Sequence, residues 1–286
     1  MTDAAPQSRG HLNPGDPRVV FDRFVLGAHL RDVVRHVWVV RWDAPDGTEL
    51  AQRVLTYPAF NAVFEAGGTS SGDAEARLYP PTGRVDVRRL SGTGWGVGIL
   101  LRPCAAHLML TGGDTRIDVH GVPREGLLLE DAPVAAVSDV LLRAGELPEG
   151  LGLDGREQLG DILRSWLTPH ARRVDDRDRL VNEACRIAEE DASVQRASEL
   201  ASRLGLAPRT LERLMRDYLG LGPKWLIECR RMQEAATTLY AHPETDLSTL
   251  AADLGYADYA HFSRRYRSVL GETPNRTRAA ASADLQ

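Results

Sequence analysis

Leu200-Ala201-Ser202-Arg203-Leu204-Gly205 and Leu250-Ala251-Ala252-Asp253-Leu254-Gly255 are two versions of one pattern, LAxxLG, set fifty residues apart (250 − 200 = 50). Beyond each glycine the parallel continues. Leu211-x-Arg213-x-Met215 aligns with Phe262-x-Arg264-x-Tyr266, Leu219-Gly220 with Leu270-Gly271, and Pro223 with Pro274. The offset there is 51 (262 − 211 = 51), so one residue has been added in the turn of the second copy. Each copy holds the parts of a helix-turn-helix. A short amphipathic helix buries Leu and Ala and closes on a Gly, which tolerates the left-handed backbone that ends a helix. A tight turn and a second helix follow. That helix is expected to bury Leu211, Leu214, Met215 and Tyr218 and to turn Arg209, Glu212, Arg213 and Arg216 outward. In the other copy Phe262, Tyr266 and Val269 face inward, with Tyr259, Ala260, Ser263, Arg264 and Arg267 outward. A reading helix must pack on its partner and still present polar groups to a groove of DNA.

Between the copies, Pro223–Tyr240 (PKWLIECRRMQEAATTLY) reads as one long helix. Pro223 suits its first turn, and Trp225, Leu226, Cys229, Met232, Ala235 and Leu239 supply apolar positions. Its span is roughly 27 Å, in the range of the ~34 Å between successive major-groove openings on one face of DNA. A rigid spacer of that length can set both units into adjacent turns, with DNA bending absorbing a shortfall.

Residues 198–278 resemble the DNA-binding domain of the AraC/XylS family of bacterial regulators. The matching stretches are LGLAPRTLER at 204–213, Arg231 with Ala235 in the connecting helix, LGYADYAHFSR at 254–264, and the Gly271…Pro274 ending. The resemblance covers under a third of the chain, yet two units stand in the right order around the right connecting helix. It implies recognition positions at Arg209, Glu212 and Arg213 in the first unit and at Tyr259, Ala260, His261 and Arg264 in the second. Arginine can bond guanine bidentately and Glu can accept from cytosine N4. Arg216, Lys224 and Arg267 better suit phosphates. Three positions depart from the family pattern: Ala207 where serine is usual, Met215 in place of an aromatic core residue, and Tyr259 where glutamine is common.

Upstream the texture is different. Val33–Trp42, Leu50–Tyr57, Asn61–Glu65, Ala76–Tyr79, Arg84–Leu90 and Gly96–Arg102 are short β-branched or aromatic segments. Pro45-Asp46-Gly47, Gly67-Gly68 and Thr82-Gly83 punctuate them, the rhythm of an antiparallel sandwich or small barrel. Helical spacing takes over at Glu130–Arg143 and Gly155–Leu167, with Pro169 expected to end the second, and again at Val174–Asp191. The architecture expected is α+β. Residues 1–17 form a flexible tail, 18–120 a β-rich domain, 121–172 a helical linker or dimerisation segment, and 173–286 the all-α DNA-binding domain with its two helix-turn-helix motifs.

The segments around Trp38–Asp43, Tyr57–Asn61 and Thr82–Arg84 resemble a cupin-like sensor domain attached to such regulators, which implies a small-molecule effector. In that pattern Arg-Pro-Gly-Gly usually follows the last strand, where this chain has Arg102-Pro103-Cys104-Ala105. Trp38, Arg41, Trp42, Tyr57, Phe60, Trp95 and Arg102 are the candidate effector contacts, with Arg41 and Arg102 as anchors for an anion. The same aromatics would serve equally as the core of a small β domain, because pockets and cores share an apolar lining.

Composition excludes more than it selects. The 286 residues are 43% hydrophobic and 26% charged, an ordinary globular balance. No apolar run reaches the ~20 residues of a membrane span, and the N-terminus lacks a secretion signal, so the cytoplasm is expected. Net charge is −5 with Lys224 the sole lysine; for DNA the placement of arginines matters more than the sum. Cys104, Cys185 and Cys229 have neither disulfide nor zinc spacing. A cupin-type metalloenzyme would need clustered ligands, whereas His29, His36, His107 and His120 are scattered singly. An alkylation-repair protein would need four N-terminal cysteines, and no phosphate loop or nucleophile elbow occurs. No enzyme, metal, cofactor or membrane partner is therefore expected. The expected partners are promoter or operator DNA, a small-molecule effector, RNA polymerase if the regulator activates, and a second copy if it dimerises.

Overall fold

The computed structural model describes residues 18–45, 47–54, 59–67, 74–81, 86–111, 118–144 and 150–284. The expected tail at 1–17 and Tyr57 lie outside them. The N-terminal half contains β1 (Val19–Phe24), β2 (Val34–Asp43), β3 (Glu49–Val54), β4 (Asn61–Gly67), β5 (Glu75–Tyr79), β6 (Asp86–Ser91), β7 (Thr93–Leu101) and β8 (Leu127–Leu128). Every ladder is antiparallel. Six strands form a sheet in the order β1-β2-β7-β4-β5-β8, and β3 pairs with β6 as a separate ribbon.

Register explains the sheet's core. Val37 lies opposite Ile99 and Val39 opposite Val97; these in turn face Ala62 and Phe64, which pair with Leu78 and Ala76. Directly opposed residues share a face, so eight buried side chains form one apolar layer across four strands. Helices cover that layer: α1 (Pro103–Leu110), α2 (Val134–Arg143) and α3 (Gly152–Ala171). Trp166 of α3 meets the Phe64 ring edge-on at 5.5 Å. Two strands, β1 and β8, and the helix α1 were not anticipated from sequence. Pro103 was itself a start signal for α1, whose Cys104, Ala105, Ala106, Leu108 and Leu110 are all buried.

Two helix boundaries differ from expectation. Helix α2 begins only at Val134, because Pro133 disfavours helical backbone in the residue before it. Helix α3 continues through Pro169 to Ala171. A proline this near the end sacrifices one bond, and the Arg172 N–H still reaches the Thr168 carbonyl at 3.1 Å.

The remainder is helical: α4 (Asp176–Glu190), α5 (Ala197–Arg203), α6 (Pro208–Leu219), α7 (Pro223–Ala241), α8 (Leu247–Asp253), α9 (Tyr259–Leu270) and α10 (Pro274–Asp284). The Asp175 carboxylate accepts from the Asp178 N–H at 2.8 Å, and Asp178 accepts from Asp175 at 3.0 Å, closing a capping box on α4. One apolar core runs without a break from Leu26 through the sheet and α1–α4 to Ile227. A second, separate core extends from Met232 to Leu270. The first helix-turn-helix is thus fused to the N-terminal half, whereas the second is built around α7 alone.

Within the sheet, His36 is buried and its Nδ1 has no partner among the described residues. Burial first, then the Arg23, Arg35 and Arg102 guanidiniums, push its imidazole down to about 4. An unfolded chain would take up that proton near pH ~6.5. The unfolded state therefore binds more protons between the two values, and His36 withdraws stability as pH falls from ~6.5 towards 4. Replacing His36 with Gln is expected to flatten that limb of the stability–pH curve in urea melts. An unaltered slope would refute the assignment.

Candidate nucleic-acid interface

The two copies fold alike. Helices α5 and α8 span equivalent residues with an offset of 50 (247 − 197), and α6 and α9 with an offset of 51 (259 − 208). The added residue lies in the turn, 204–207 in the first unit and 254–258 in the second. The backbone bonds repeat as well. Leu206 N–H donates to the Ala201 carbonyl and Tyr256 N–H to the Ala251 carbonyl, each at 2.9 Å. Gly205 and Gly255 sit at φ +65° and +76°, a region that penalises any side chain, as their place in the repeat anticipated.

Inner faces match expectation: Leu211, Leu214, Met215, Tyr218, Phe262, Tyr266 and Val269 are all buried. Outside, Arg209, Arg213, Arg264 and Arg267 are exposed, and their guanidiniums make no hydrogen bond or ion pair among the described residues. Lys224, in the first turn of α7, is likewise exposed. Arg213 and Arg264 occupy the same place in the two units (264 − 213 = 51). Arg216 instead binds Glu212 at 2.9 Å, four residues back on the same helix. Glu212 is thereby half-buried and engaged, and a cytosine would have to compete with Arg216 for it. His261 and Ala260 are exposed. Tyr259 is not fully outward: its ring lies 6.4 Å from Phe262 and its hydroxyl accepts from Asn275 at 3.5 Å.

Other arginines hold the frame. Arg265 of α9 is clamped onto Glu228 of α7, which keeps its guanidinium pKa raised. Arg231 of α7 donates to the Gln195 carbonyl at 3.0 Å and lies 5.5 Å from the Tyr256 ring. Arg230 is buried and donates to the Asp191 and Val194 carbonyls at 2.8 and 2.9 Å, tying α7 to the end of α4. Sequence reading assigned no role to Arg265 or Arg230; a residue's ion partner 37 positions away leaves no local signal.

The helix starts are unequal. Asp258 accepts the His261 N–H at 2.6 Å and caps α9, but Ala207 offers α6 no side-chain cap. Ala207→Ser is expected to raise stability by about 1 kcal/mol, and Asp258→Ala to lower it by a similar amount. Thermal melts of both variants check this; shifts of the same sign would contradict it.

Behind α6 stands the N-terminal half. His107 of α1 lies 4.7 Å from the Tyr218 ring, and the Tyr218 hydroxyl donates to Asp178 of α4 at 2.9 Å in the interior. Burial and this acceptor raise the Tyr218 pKa. The candidate effector contacts do not converge. Trp38 and Trp42 lie on the face of the sheet opposite the apolar layer; Trp38 donates to Asn61 at 3.4 Å and Trp42 to the Ser91 carbonyl at 3.2 Å. Arg41 and Trp95 oppose each other on the apolar face, and Phe60 is fully buried. Arg102 stands apart at the seam with α4. Among the described residues no group of three or more His, Cys, Asp and Glu could hold a metal, and no helix is long and apolar enough to cross a membrane. Burial pushes the Cys104 and Cys229 thiols up to about 12, away from reactive thiolate character.

Paired helix-turn-helix units on a shared connecting helix, each with exposed arginines on its outer face, define a double helix-turn-helix domain. Residues 200–280 match the helix-turn-helix domain family, and residues 26–113 match a family described as a domain of unknown function. The HTH-type transcriptional activator RhaS of Escherichia fergusonii is 32% identical over 87 residues, 30% of this chain and 31% of that protein. RhaS of Pectobacterium carotovorum is 30% identical over 82 residues, 29% of each chain. The chain spans about a third of the length of these curated relatives. Among solved structures, the C-terminal domain of AraT, a response regulator from Geobacillus stearothermophilus, is 24% identical, covering 38% of this chain and 88% of that one at a TM-score of 0.34. ToxT from Vibrio cholerae is 14% identical, covering 91% and 98% at a TM-score of 0.42. Residues 200–280 of this chain are thus similar to the helix-turn-helix domain shared by these transcriptional activators.

Proposed function

We propose that the protein is a cytoplasmic, sequence-specific transcription regulator that lays α6 and α9 into successive major-groove segments of one DNA duplex. The observation that carries this reading is the equivalent placement of free arginines, Arg213 and Arg264, on two helices joined by the clamped helix α7. Arg209 and Glu212 join Arg213 in base contact from α6, and Ala260, His261 and Tyr259 join Arg264 from α9. Arg216, Lys224 and Arg267 meet phosphates, so binding weakens steeply with salt. Residues 18–120 sense a small-molecule effector, with Trp38 and Trp42, which share one face of the sheet, as its contacts. The helical segment 121–172 relays that state or dimerises. If the regulator activates, RNA polymerase is a further partner. Selection of bound duplexes from a random pool tests the reading: a bipartite site with centres one helical turn apart is expected. Absence of any preferred duplex at moderate salt, with and without metabolites, would overturn it.

A further inference from the structure

The two helix-turn-helix units have separate buried cores, so the packing of one does not orient the other. Helix α7 runs through both, and beside it a polar junction joins them. Gln195 lies on the link between α4 and α5, at the entry of the first unit. Its amide oxygen accepts from Arg231 Nε of α7 at 3.0 Å, and its backbone carbonyl accepts from the same guanidinium at 3.0 Å. The second unit closes on this pair. A Cβ at Gly255 would stand 3.2 Å from the Gln195 amide oxygen and 3.3 Å from Arg231 Nη2, and the Tyr256 ring lies 5.5 Å from the guanidinium. Tyr256 in turn packs on Phe262 of α9 at 5.5 Å. One turn back on the same face of α7, Glu228 holds Arg265 of α9. The link that carries Gln195 is itself pinned. Its N–H donates to Glu199 at 2.7 Å, its amide nitrogen donates to the Ala192 carbonyl at 2.6 Å, and Arg230 holds the Asp191 and Val194 carbonyls.

We propose that Arg231 and Gln195 latch the reading helices α6 and α9 in one relative orientation and thereby set the spacing, in base pairs, between the two halves of the DNA site; this rests on the DNA-reading function above. Inserting one base pair moves a half-site by about 3.4 Å along the duplex and about 35° around it. A stiff pair of readers can follow only by deforming the DNA or by opening the junction. With the latch open, the second reader samples more orientations. Its effective concentration then spreads over several spacings and falls at the native one. Arg231 and Gln195 are thus positioning residues, acting through the helices that meet the bases.

Two measurements on the full chain test this. Without DNA, spin labels on Ser202→Cys and Ala252→Cys, equivalent exposed positions of the two units, report the distance between them; the native cysteines are buried. One narrow distribution is expected, broadened by Gln195→Ala and less so by Arg231→Lys, which keeps the charge but loses the planar fork. With DNA, a one-base-pair insertion or deletion between the halves of a selected operator should weaken native binding roughly tenfold or more. Gln195→Ala should reduce that penalty roughly threefold or more, with single-base selectivity inside each half-site kept. An unchanged distance distribution in Gln195→Ala overturns the latch. Broadening with an unchanged spacing penalty overturns its role in spacing, and so does a loss of selectivity at every base, which a misfolded unit would produce. A native protein that prefers no duplex removes the DNA-reading function instead, and the label distances still decide whether the latch exists.

Discussion

Replacing Phe262 with alanine is expected to unfold the second helix-turn-helix while leaving the first intact. Phe262 is completely buried and has Tyr256 and Tyr266 rings at 5.5 Å, with Tyr259 at 6.4 Å. Truncating a buried Phe typically costs ~3–5 kcal/mol. A core this small has little stability to spare. The core around Phe262 extends only from Met232 to Leu270 and shares no buried residue with the one that unites the sheet and the first unit. Amide hydrogen exchange should then lose protection in α8, α9 and α10 and keep it in the sheet, α4 and α6. A footprint on a selected operator should shrink to the half-site read by α6. Uniform loss of protection along the whole chain would show that the two cores unfold as one.

The second large effect is on affinity. Arg213→Ala and Arg264→Ala should each weaken binding to a selected operator by ~1–3 kcal/mol, with relaxed selectivity at the base each one reads. The two sites lie on different units with separate cores, so the double variant should approach the sum, ~2–6 kcal/mol. Arg267→Ala should instead reduce affinity evenly across sequences and lower the salt slope by about one. Competition assays with single-base operator variants separate these cases. Unchanged affinity in both single variants would remove the two arginines from the interface. Arg265→Ala serves as a contrast: it breaks the clamp to Glu228 and should cost stability as well as affinity.

Much of the double helix-turn-helix domain was legible because its information is local. The LAxxLG pattern and the apolar spacing of Leu211, Leu214, Met215 and Tyr218 follow directly from helical periodicity. The one-residue change of offset by itself locates the longer turn. Asp258 was a legible cap that went unassigned, and Pro103 a legible helix start. By contrast, Tyr259 was expected to face outward and is partly drawn onto Phe262, because a large ring at the first position of α9 gains more from the core than from solvent. The seven candidate effector contacts share only their residue type, aromatic or arginine. Strand register then put Trp38 and Trp42 on one face of the sheet and Arg41 and Trp95 on the other, since neighbouring positions on a strand point to opposite sides.

Sequence alone determined the duplicated helix-turn-helix, its rod-like spacer and the antiparallel character of the N-terminal half, because periodicity and turn chemistry act over a few residues. Only the tertiary structure decided which arginines are free. Arg265, Arg230 and Arg35 find partners 36 to 154 positions away, and no local pattern encodes a contact between distant elements. Tertiary packing likewise decided that the first unit shares one core with the sheet while the second stands on its own. That division follows from where buried side chains meet in space, and it sets the path by which one half of the molecule can act on the other.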